Sequence, residues 1–263
     1  MTQTPPRPRA DAPGEPRWTV VVPLGLAAGL LSGMFGVGGG VLIVPMLVLL
    51  LGTQQRLAHG TSLAAIIPIS AAGVVVYAVH GLVDVGTASF LTVGSVVGSL
   101  LGTRLLHALP QRTLRLIFAG LLAATAVRLL FDIPDPDHLS ALSAGVAVAL
   151  VATGLVIGCL SGLLGVGGGI FLVPVLVLLF GFGDDLAKGT SLLMVVPTAI
   201  VATVQNVRGG NADLRQAGTI GVAGIATALV GAQLAVYMGS RVSLALFATL
   251  LLYSAFRMVR KKN

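Results

Sequence analysis

The sequence predicts an all-α, polytopic integral membrane protein of about eight to ten helical segments, built as two inverted repeats with short glycine-interrupted helices. Of its 263 residues, 56% are hydrophobic and only 10% are charged, and the mean hydropathy is +0.99. Roughly a quarter of the residues in a soluble domain are charged, so these few charges do not suit a soluble enzyme. The 35 glycines suit membrane helices that touch closely or break. The second half of the chain also repeats the first.

The chain divides into a tail, two membrane repeats and a linker. Residues 1–17 contain five of the thirteen prolines and predict a disordered cytoplasmic tail. The repeats cover 18–131 and 141–260, with Trp18 at the point of membrane entry and an acidic linker at 132–140. A helix needs about 20 residues to cross the hydrocarbon core, and the second and seventh apolar segments are too short. The ten segments are 18–35, 40–52, 60–80, 86–107, 113–131, 141–164, 169–182, 189–207, 216–238 and 242–259.

An internal repeat appears when the sequence is shifted by 129 residues. The run Gly-Val-Gly-Gly-Gly at 36–40 recurs at 165–169, and Gly-Thr-Ser-Leu at 60–63 recurs at 189–192. Residues 29–63 match residues 158–192 at 22 of 35 positions. Leucine-rich helices alone do not explain shared glycines and prolines at one fixed offset, so the sequence indicates a duplicated membrane unit.

The distribution of basic residues predicts how the repeats are oriented. With five segments crossing in each half and the N-terminus in the cytoplasm, 13 of the 16 Lys and Arg residues lie inside and 3 lie outside. If each glycine-interrupted pair makes one crossing instead, the split is 10 to 6. Because cytoplasmic loops are enriched in Lys and Arg, the first arrangement is favoured. It predicts inverted repeats in the cytoplasmic membrane with both termini inside the cell.

The motif Gly-x-x-Ser-Gly-x-x-Gly-Val-Gly-Gly-Gly, followed by Val-Pro and Gly-Thr-Ser-Leu, occurs at 29–63 and again at 158–192. This double motif resembles the sulfite exporter TauE/SafE family, also described as the 4-toluene sulfonate uptake permease family. The resemblance implies a transporter of small sulfur-containing anions without a cofactor. The expected partners are the anion and the lipid bilayer, not nucleic acid, and a homo-oligomer is left open. The alternative is a passive anion channel or a non-transporting membrane scaffold.

The glycine clusters are the predicted site, because short or broken helices at matching positions of two repeats indicate where a transporter binds its substrate. Backbone N–H groups at a helix N-terminus can hold an oxyanion, although the glycines could also serve close helix packing. Nearby hydroxyl groups could donate to the anion; otherwise the Thr-Ser pairs cap helices and the two isolated serines bond back to their own helix. The predicted binding residues are Ser32, Gly38, Gly39, Gly40, Thr61, Ser62, Ser161, Gly167, Gly168, Gly169, Thr190 and Ser191.

The remaining polar residues predict neither catalysis nor metal binding. Cys159 is the only cysteine, and the four histidines lack metal-ligand spacing, so no metal site or enzyme is expected. Asp84 and Asp213 are repeat equivalents that fit either a structural turn or a proton relay. Lys188, the repeat equivalent of His59, is placed near a segment end rather than deep in the membrane. Three glycines spaced by four residues are expected to pack one helix against another: Gly94, Gly98 and Gly102.

Overall fold

The computed structural model describes residues 18–105 and 143–238, with four further positions between 242 and 249. The predicted tail, the predicted linker, the fifth segment and most of the tenth lie outside the described residues. The described ranges form eight helices and no strand. Each helix of the first range has a counterpart 129 residues later, apart from small differences at the ends of two pairs. The helices are α1 (Trp18–Phe35), α2 (Gly40–Leu51), α3 (Gln55–Val79), α4 (Val85–Leu105), α5 (Ala144–Leu164), α6 (Gly169–Phe180), α7 (Asp184–Arg208) and α8 (Leu214–Met238).

The helix bounds confirm most of the predicted segments and correct two of them. α1 covers the predicted 18–35, and the short helices α2 and α6 begin at the predicted residues 40 and 169. In contrast, α3 and α7 each begin five residues before the predicted segment, so the Thr-Ser pairs at 61–62 and 190–191 lie inside helices. The expectation that they cap helix starts is therefore wrong.

Contacts along the helices show which of them run parallel. Gly25 of α1 packs against the carbonyl group of Ile220 in α8, and Gly33 packs against that of Ala228, so α1 and α8 run in the same direction. The equivalent pair, α4 and α5, is also parallel. Its contacts confirm the predicted packing role of Gly94, Gly98 and Gly102, which lie against the carbonyl groups of Val151, Leu155 and Cys159.

The central helices α3 and α7 run antiparallel. Gly60, near the start of α3, packs against Asn211, just beyond the end of α7, whereas Gly73 lies further along α3 and packs against Leu192, near the start of α7. Because α3 and α7 are repeat equivalents, one repeat is inverted relative to the other. The predicted inverted arrangement is confirmed.

The short helix α2 returns the chain to the side from which α1 starts. Gly221 of α8 packs against Pro68 of α3, while the backbone N–H at the start of α8 reaches Thr61, so α3 is parallel to α8 and hence to α1. Gly39, just before α2, lies beside Ala28, well before the end of α1. Twelve residues extend about 18 Å, which is enough to return from the middle of the bilayer but not to cross it. The short helices therefore do not cross, which corrects the expectation that five segments cross in each half. The parallel directions of α1 and α3 also contradict the arrangement in which each glycine-interrupted pair makes one crossing.

Six of the described helices, α1, α3, α4, α5, α7 and α8, are long and apolar enough to span a membrane. Large apolar side chains remain exposed on their outer faces, including Val148 and Val222, each 70% exposed. Such surfaces suit contact with lipid tails, because a soluble protein of this size rarely leaves large apolar patches in water. The fold is that of a polytopic membrane protein.

Candidate functional site

The two glycine clusters, called here glycine segment 1 (residues 36–40) and glycine segment 2 (residues 165–169), meet at the centre of the molecule. A Cβ atom added to Gly38 would lie 3.1 Å from Ile66 Cγ2 and 3.3 Å from Val195 Cγ1. A Cβ atom added to Gly167 would meet the same two side chains at 3.3 and 3.4 Å. Ile66 and Val195 are each the twelfth of 25 residues in α3 and α7. Both segments therefore lie at mid-length of the central helices.

The segments also touch each other directly through their backbones. A Cβ atom on Gly40 would lie 2.8 Å from Val166 Cα, and one on Gly169 would lie 2.9 Å from Val37 Cα. No ordinary Cβ atom approaches this closely, so a side chain at either position would push the repeats apart. Gly40 and Gly169 thus serve close packing between the repeats, in agreement with the packing alternative.

Two helix N-termini begin at this contact. Gly39 precedes α2 with φ +75° and Gly168 precedes α6 with φ +78°, and neither helix has a side-chain cap. The carbonyl groups of these two glycines accept hydrogen bonds from the third and fourth residues of each helix, Leu42 and Ile43 in α2 and Phe171 and Leu172 in α6, at 3.1 to 3.2 Å. The first N–H groups of a helix have no partner within it and carry partial positive charge. The centre of the molecule therefore combines two such N-termini.

Three predicted serines place buried hydroxyl groups around the segments. Ser32, Ser62 and Ser161 are fully buried, and their Oγ atoms have no hydrogen-bond partner among the described residues. The Ser32 carbonyl accepts the Gly36 N–H at 2.9 Å, so Ser32 lies one helical turn before segment 1. Ser161 has the equivalent position before segment 2, where its carbonyl accepts the Gly165 N–H at 2.8 Å. An unpaired buried hydroxyl costs about 1–3 kcal/mol, so these groups suit a polar ligand.

Ser70 is a further buried hydroxyl that the sequence did not indicate. Its Oγ atom also has no partner within the described ranges, and it would lie 3.5 Å from a Cβ atom on Gly38. Ser70 falls outside the repeated motif, and its equivalent in the second repeat is Ala199. A search based on matching polar residues could not have found it.

Ser191 differs from the other predicted serines because its hydroxyl is already used. It donates to the carbonyl of Gly36 at 3.0 Å, so α7 holds the beginning of glycine segment 1. The equivalent residue, Ser62, makes no such bond to Gly165 in this structure. The two segments are therefore attached differently to the opposite repeat.

The two predicted threonines connect the repeats rather than facing the segments. Thr61 Oγ1 accepts the backbone N–H of Asp213 at 2.9 Å, and Thr190 Oγ1 accepts that of Asp84 at 3.0 Å. These equivalent bonds lie near opposite ends of the antiparallel pair. The structure does not bring the threonines together with the glycine segments.

Asp84 and Asp213 serve as helix caps, which supports the structural-turn interpretation. Asp84 Oδ1 accepts the N–H of Thr87 at 3.0 Å in the first turn of α4. Asp213 Oδ1 accepts the N–H of Gln216 at the same distance in α8. Both carboxylates thus stabilise helix N-termini, where negative charge is favourable.

Lys188 lies near the start of α7, close to a segment end as predicted, but the sequence did not indicate how its side chain is paired. Its side chain is fully buried, and its Nζ atom pairs with Asp184 Oδ2 and, at 3.1 Å, with Asp185 Oδ1. The pairing with two aspartates was not predicted because α7 begins at Asp184, five residues before the predicted apolar segment. The sequence signal was the repeat equivalence of Lys188 and His59, a residue that is also buried, in α3.

The described part of the chain contains no group of three His, Cys, Asp or Glu side chains that could hold a metal ion. Its ionisable clusters are the carboxylates around Lys188 and the capping aspartates. The chemistry that this site can perform is therefore binding through hydroxyl groups, backbone N–H groups and one lysine.

Comparisons with known proteins agree with this geometry. A family model described as sulfite exporter TauE/SafE matches residues 2–129 and 150–263, one block for each repeat. The probable membrane transporter protein YunE of Bacillus subtilis is 27% identical over 224 residues, covering 74% of this chain and 80% of the relative. YjnA of the same organism, also named a probable membrane transporter protein, is 24% identical over 91% of this chain and 98% of its own. A protein of the same description from Xylella fastidiosa (strain 9a5c) is 27% identical over 72% and 74%.

Proposed function

This chain belongs to the sulfite exporter TauE/SafE family of membrane transporters, and we propose that it is a permease for a small sulfur-containing anion, such as sulfite or a sulfonate. In this proposal the anion crosses the cytoplasmic membrane by alternating access. The two halves that move are the repeats 18–131 and 141–260, joined by the linker 132–140. Both termini lie in the cytoplasm.

The observation that carries the proposal is the set of buried seryl hydroxyls on the helices next to the glycine segments that have no hydrogen-bond partner among the described residues. Ser32, Ser62 and Ser161 each hold one hydrogen that can be donated, and none has a partner among the residues described. An oxyanion with several equivalent oxygens can accept hydrogen bonds from such hydroxyls and from N–H groups at the starts of α2 and α6. This set binds negative charge without placing a cation at the centre.

The strength of such a site is sufficient for a transported substrate. A hydrogen bond to a charged group contributes about 1.5–3 kcal/mol. Losing two of them would weaken binding about a hundredfold or more, since ~1.4 kcal/mol is tenfold. The proposal therefore predicts that single hydroxyl deletions change transport measurably without removing it.

The position of the site supports alternating access. The segments lie at mid-length of two antiparallel helices, between the repeats, where rocking of one repeat against the other exposes a fixed site to either side. Saturable uptake that an unlabelled anion inside the vesicle accelerates would support a carrier. Unsaturable flux without this acceleration would instead support a passive channel.

The central experiment is a proteoliposome uptake panel with labelled sulfite, sulfate, sulfoacetate and acetate. We expect saturable uptake of at least one sulfur-containing anion and none of acetate. Failure of all three sulfur-containing anions, with correctly folded protein in the vesicles, would contradict the proposal.

Serine variants test the site itself. Ser32→Ala and Ser161→Ala should each raise the KM for the transported anion about tenfold or more while leaving thermal stability equal or slightly higher, because each removes an unpaired buried hydroxyl. Ser95→Ala is the matched control, since the Ser95 hydroxyl bonds Thr198 Oγ1 at 2.6 Å. It should lower stability by about 0.5–1.5 kcal/mol and leave KM unchanged. Equal behaviour of all three variants would count against the proposed site.

The orientation is tested separately by labelling. A cysteine placed at Asp135, with Cys159 replaced by Ala, should react with a membrane-impermeant reagent only from outside the cell. Labelling from the cytoplasmic side alone would reverse the proposed orientation.

A further inference from the structure

We propose that Lys188 is a ligand for the transported anion on one side of the membrane only, and that Asp185 holds its ammonium group until the anion arrives. This inference rests on the proposed permease function and adds a charged binding step outside the central serines. It assigns opposite roles to two side chains that pair with each other.

Lys188 lies between the start of α7 and the centre of the molecule. A Cβ atom on Gly36 would be 2.6 Å from Lys188 Cα and 2.8 Å from its Cβ, so the lysine side chain leaves α7 at the edge of glycine segment 1. Val195, which contacts both segments, is seven residues further along, about 10 Å at 1.5 Å per residue. An anion entering at the start of α7 would therefore meet Lys188 before it reaches the mid-length of the central helices.

Among the described residues, the ion cluster contains two carboxylates and one ammonium group, that of Lys188. The side chains of Lys188 and Asp184 are 0% and 1% exposed, whereas that of Asp185 is 19% exposed. If Asp185 turned outwards, its carboxylate could be hydrated, while Asp184 would keep a buried countercharge beside the lysine. Asp185 is thus the partner that can be exchanged.

An oxyanion can replace Asp185 without changing the local charge. The ammonium group has three donors and accepts no hydrogen bond, so sulfite or sulfonate oxygens suit it as well as a carboxylate does. After the exchange Lys188 still lies between two negative groups, one from Asp184 and one from the anion. Ionisable side chains inside membrane segments are expensive and commonly mark the path of an ion.

The cluster is restricted to one side because the repeats differ here. The positions equivalent to Asp184, Asp185 and Lys188 hold Gln55, Arg56 and His59. Since α3 and α7 are antiparallel, these two sets lie towards opposite ends of the helix pair. An anion approaching from the start of α3 meets no equivalent lysine and carboxylate pair.

Two variants with the same net charge in the cluster distinguish direct binding of the anion by Lys188 from an electrostatic effect of the cluster's net charge. Asp185→Asn leaves Lys188 with Asp184, and the triple variant Asp184→Asn/Asp185→Asn/Lys188→Met removes all three charges, so both clusters are neutral. With labelled sulfite in proteoliposomes, Asp185→Asn should lower KM about two- to fivefold, the range that a partly exposed ion pair contributes. The triple variant should raise KM about tenfold or more above Asp185→Asn.

Equal KM values in the two folded variants would overturn the inference, because a field effect depends only on net charge. An unchanged or raised KM in Asp185→Asn would also overturn it, and this single variant decides the matter if the triple variant does not fold. Thermal unfolding and size-exclusion profiles in detergent identify the folded protein. Arg56→Gln, at the position equivalent to Asp185, is the control and should leave KM within about twofold.

The test remains distinct from that of the permease function. If the wild type takes up none of the panel anions, the proposed function fails first. If uptake occurs and the serine variants raise KM while the cluster variants do not differ, only the role of Lys188 is lost. The panel anion that is taken up replaces sulfite as the probe if sulfite itself is not transported.

Discussion

Residues 55–59 and 184–188 form equivalent first turns of α3 and α7, yet the first carries Arg56 and His59 while the second carries an ion cluster around Lys188. Both turns have the same helical backbone and lie against the opposite glycine segment. The difference teaches that the duplicated unit preserves its framework while its two ends acquire different charges. Since the helices are antiparallel, this becomes a difference between the two sides of the protein.

Some hydrogen bonds of the framework are equivalent in the two repeats. Thr61 accepts the Asp213 N–H at 2.9 Å and Thr190 accepts the Asp84 N–H at 3.0 Å. Such bonds join backbone to a side chain shared by both repeats, so substitutions elsewhere leave them intact. We expect changes to the framework to act equally in both repeats and changes at the differing positions to act in one.

Glycines at the contacts between the central helices and the opposite loops should give the largest effect. A Cβ atom on Gly60 would overlap the Asn211 carbonyl oxygen, and one on Gly189 would overlap that of Leu82. Gly60→Ala and Gly189→Ala should each destabilise by about 3 kcal/mol or more and abolish accumulation in the membrane. Gly218→Ala is the control and should be neutral or stabilising, because no atom of the described residues lies within 4 Å of the added Cβ. If only one of the variants Gly60→Ala and Gly189→Ala lowered the membrane yield, the two repeats would not be equivalent at these contacts.

Replacing the threonines that join the repeats should have the next largest effect. Thr61→Val and Thr190→Val each leave a partly buried backbone N–H without its acceptor, so each should destabilise by about 1–3 kcal/mol. Thermal unfolding in detergent measures the loss, which should be the same for both. A large rise in the transport KM without any loss of stability would instead return these hydroxyls to the anion site.

Tyr77 and its equivalent Asn206 should behave differently. The Tyr77 hydroxyl donates to the buried Gly33 carbonyl at 2.9 Å, whereas Asn206 Nδ2 donates at 2.8 Å to Ala202 of its own helix. Tyr77→Phe should therefore cost about 1–2 kcal/mol, and Asn206→Ala less than about 1 kcal/mol. Equal unfolding temperatures for the two variants would show that the Tyr77 bond does not hold the first repeat.

The smallest effects should come from Ser191 and Ser62. Ser191→Ala removes the bond to the Gly36 carbonyl and should destabilise by about 0.5–1.5 kcal/mol. Ser62→Ala removes a hydroxyl without a partner in the described ranges, so it should leave stability unchanged or slightly raised. Calorimetry on the two variants provides the comparison, and a larger loss for Ser62→Ala would reverse it.

The sequence predicts the repeated framework well, because glycine and proline positions depend on the backbone and recur at one offset. The bounds of α1, the starts of α2 and α6, and the helix contact through Gly94 are all confirmed. The early starts of α3 and α7 were missed because Gln55 and Asp184 open polar turns that a hydropathy pattern assigns to loops. Gly60 also suggested a helix boundary, although its small size serves the contact with Asn211.

The partners between repeats could not be predicted from the same information. A fixed offset states which residues are equivalent, but not which faces meet, so the bond from Asp213 to Thr61 depends on helix directions known only from the fold. The burial of Lys188 could not be predicted for the same reason. The strain that Gly39→Ala would cause is also known only from the structure, because φ +75° and the nearby Ala28 carbonyl disfavour any side chain there.

The opposed directions of the long helices have an electrical consequence. Of the six described helices long enough to cross the bilayer, α1, α3 and α8 run one way, while α4, α5 and α7 run the other. Each helix carries the equivalent of about half a charge at each end, and three against three largely cancel. A membrane voltage, worth about 2.3 kcal/mol per elementary charge per 100 mV, therefore does little work on this framework. The voltage dependence of the anion flux would therefore report the net charge that crosses the membrane with each anion.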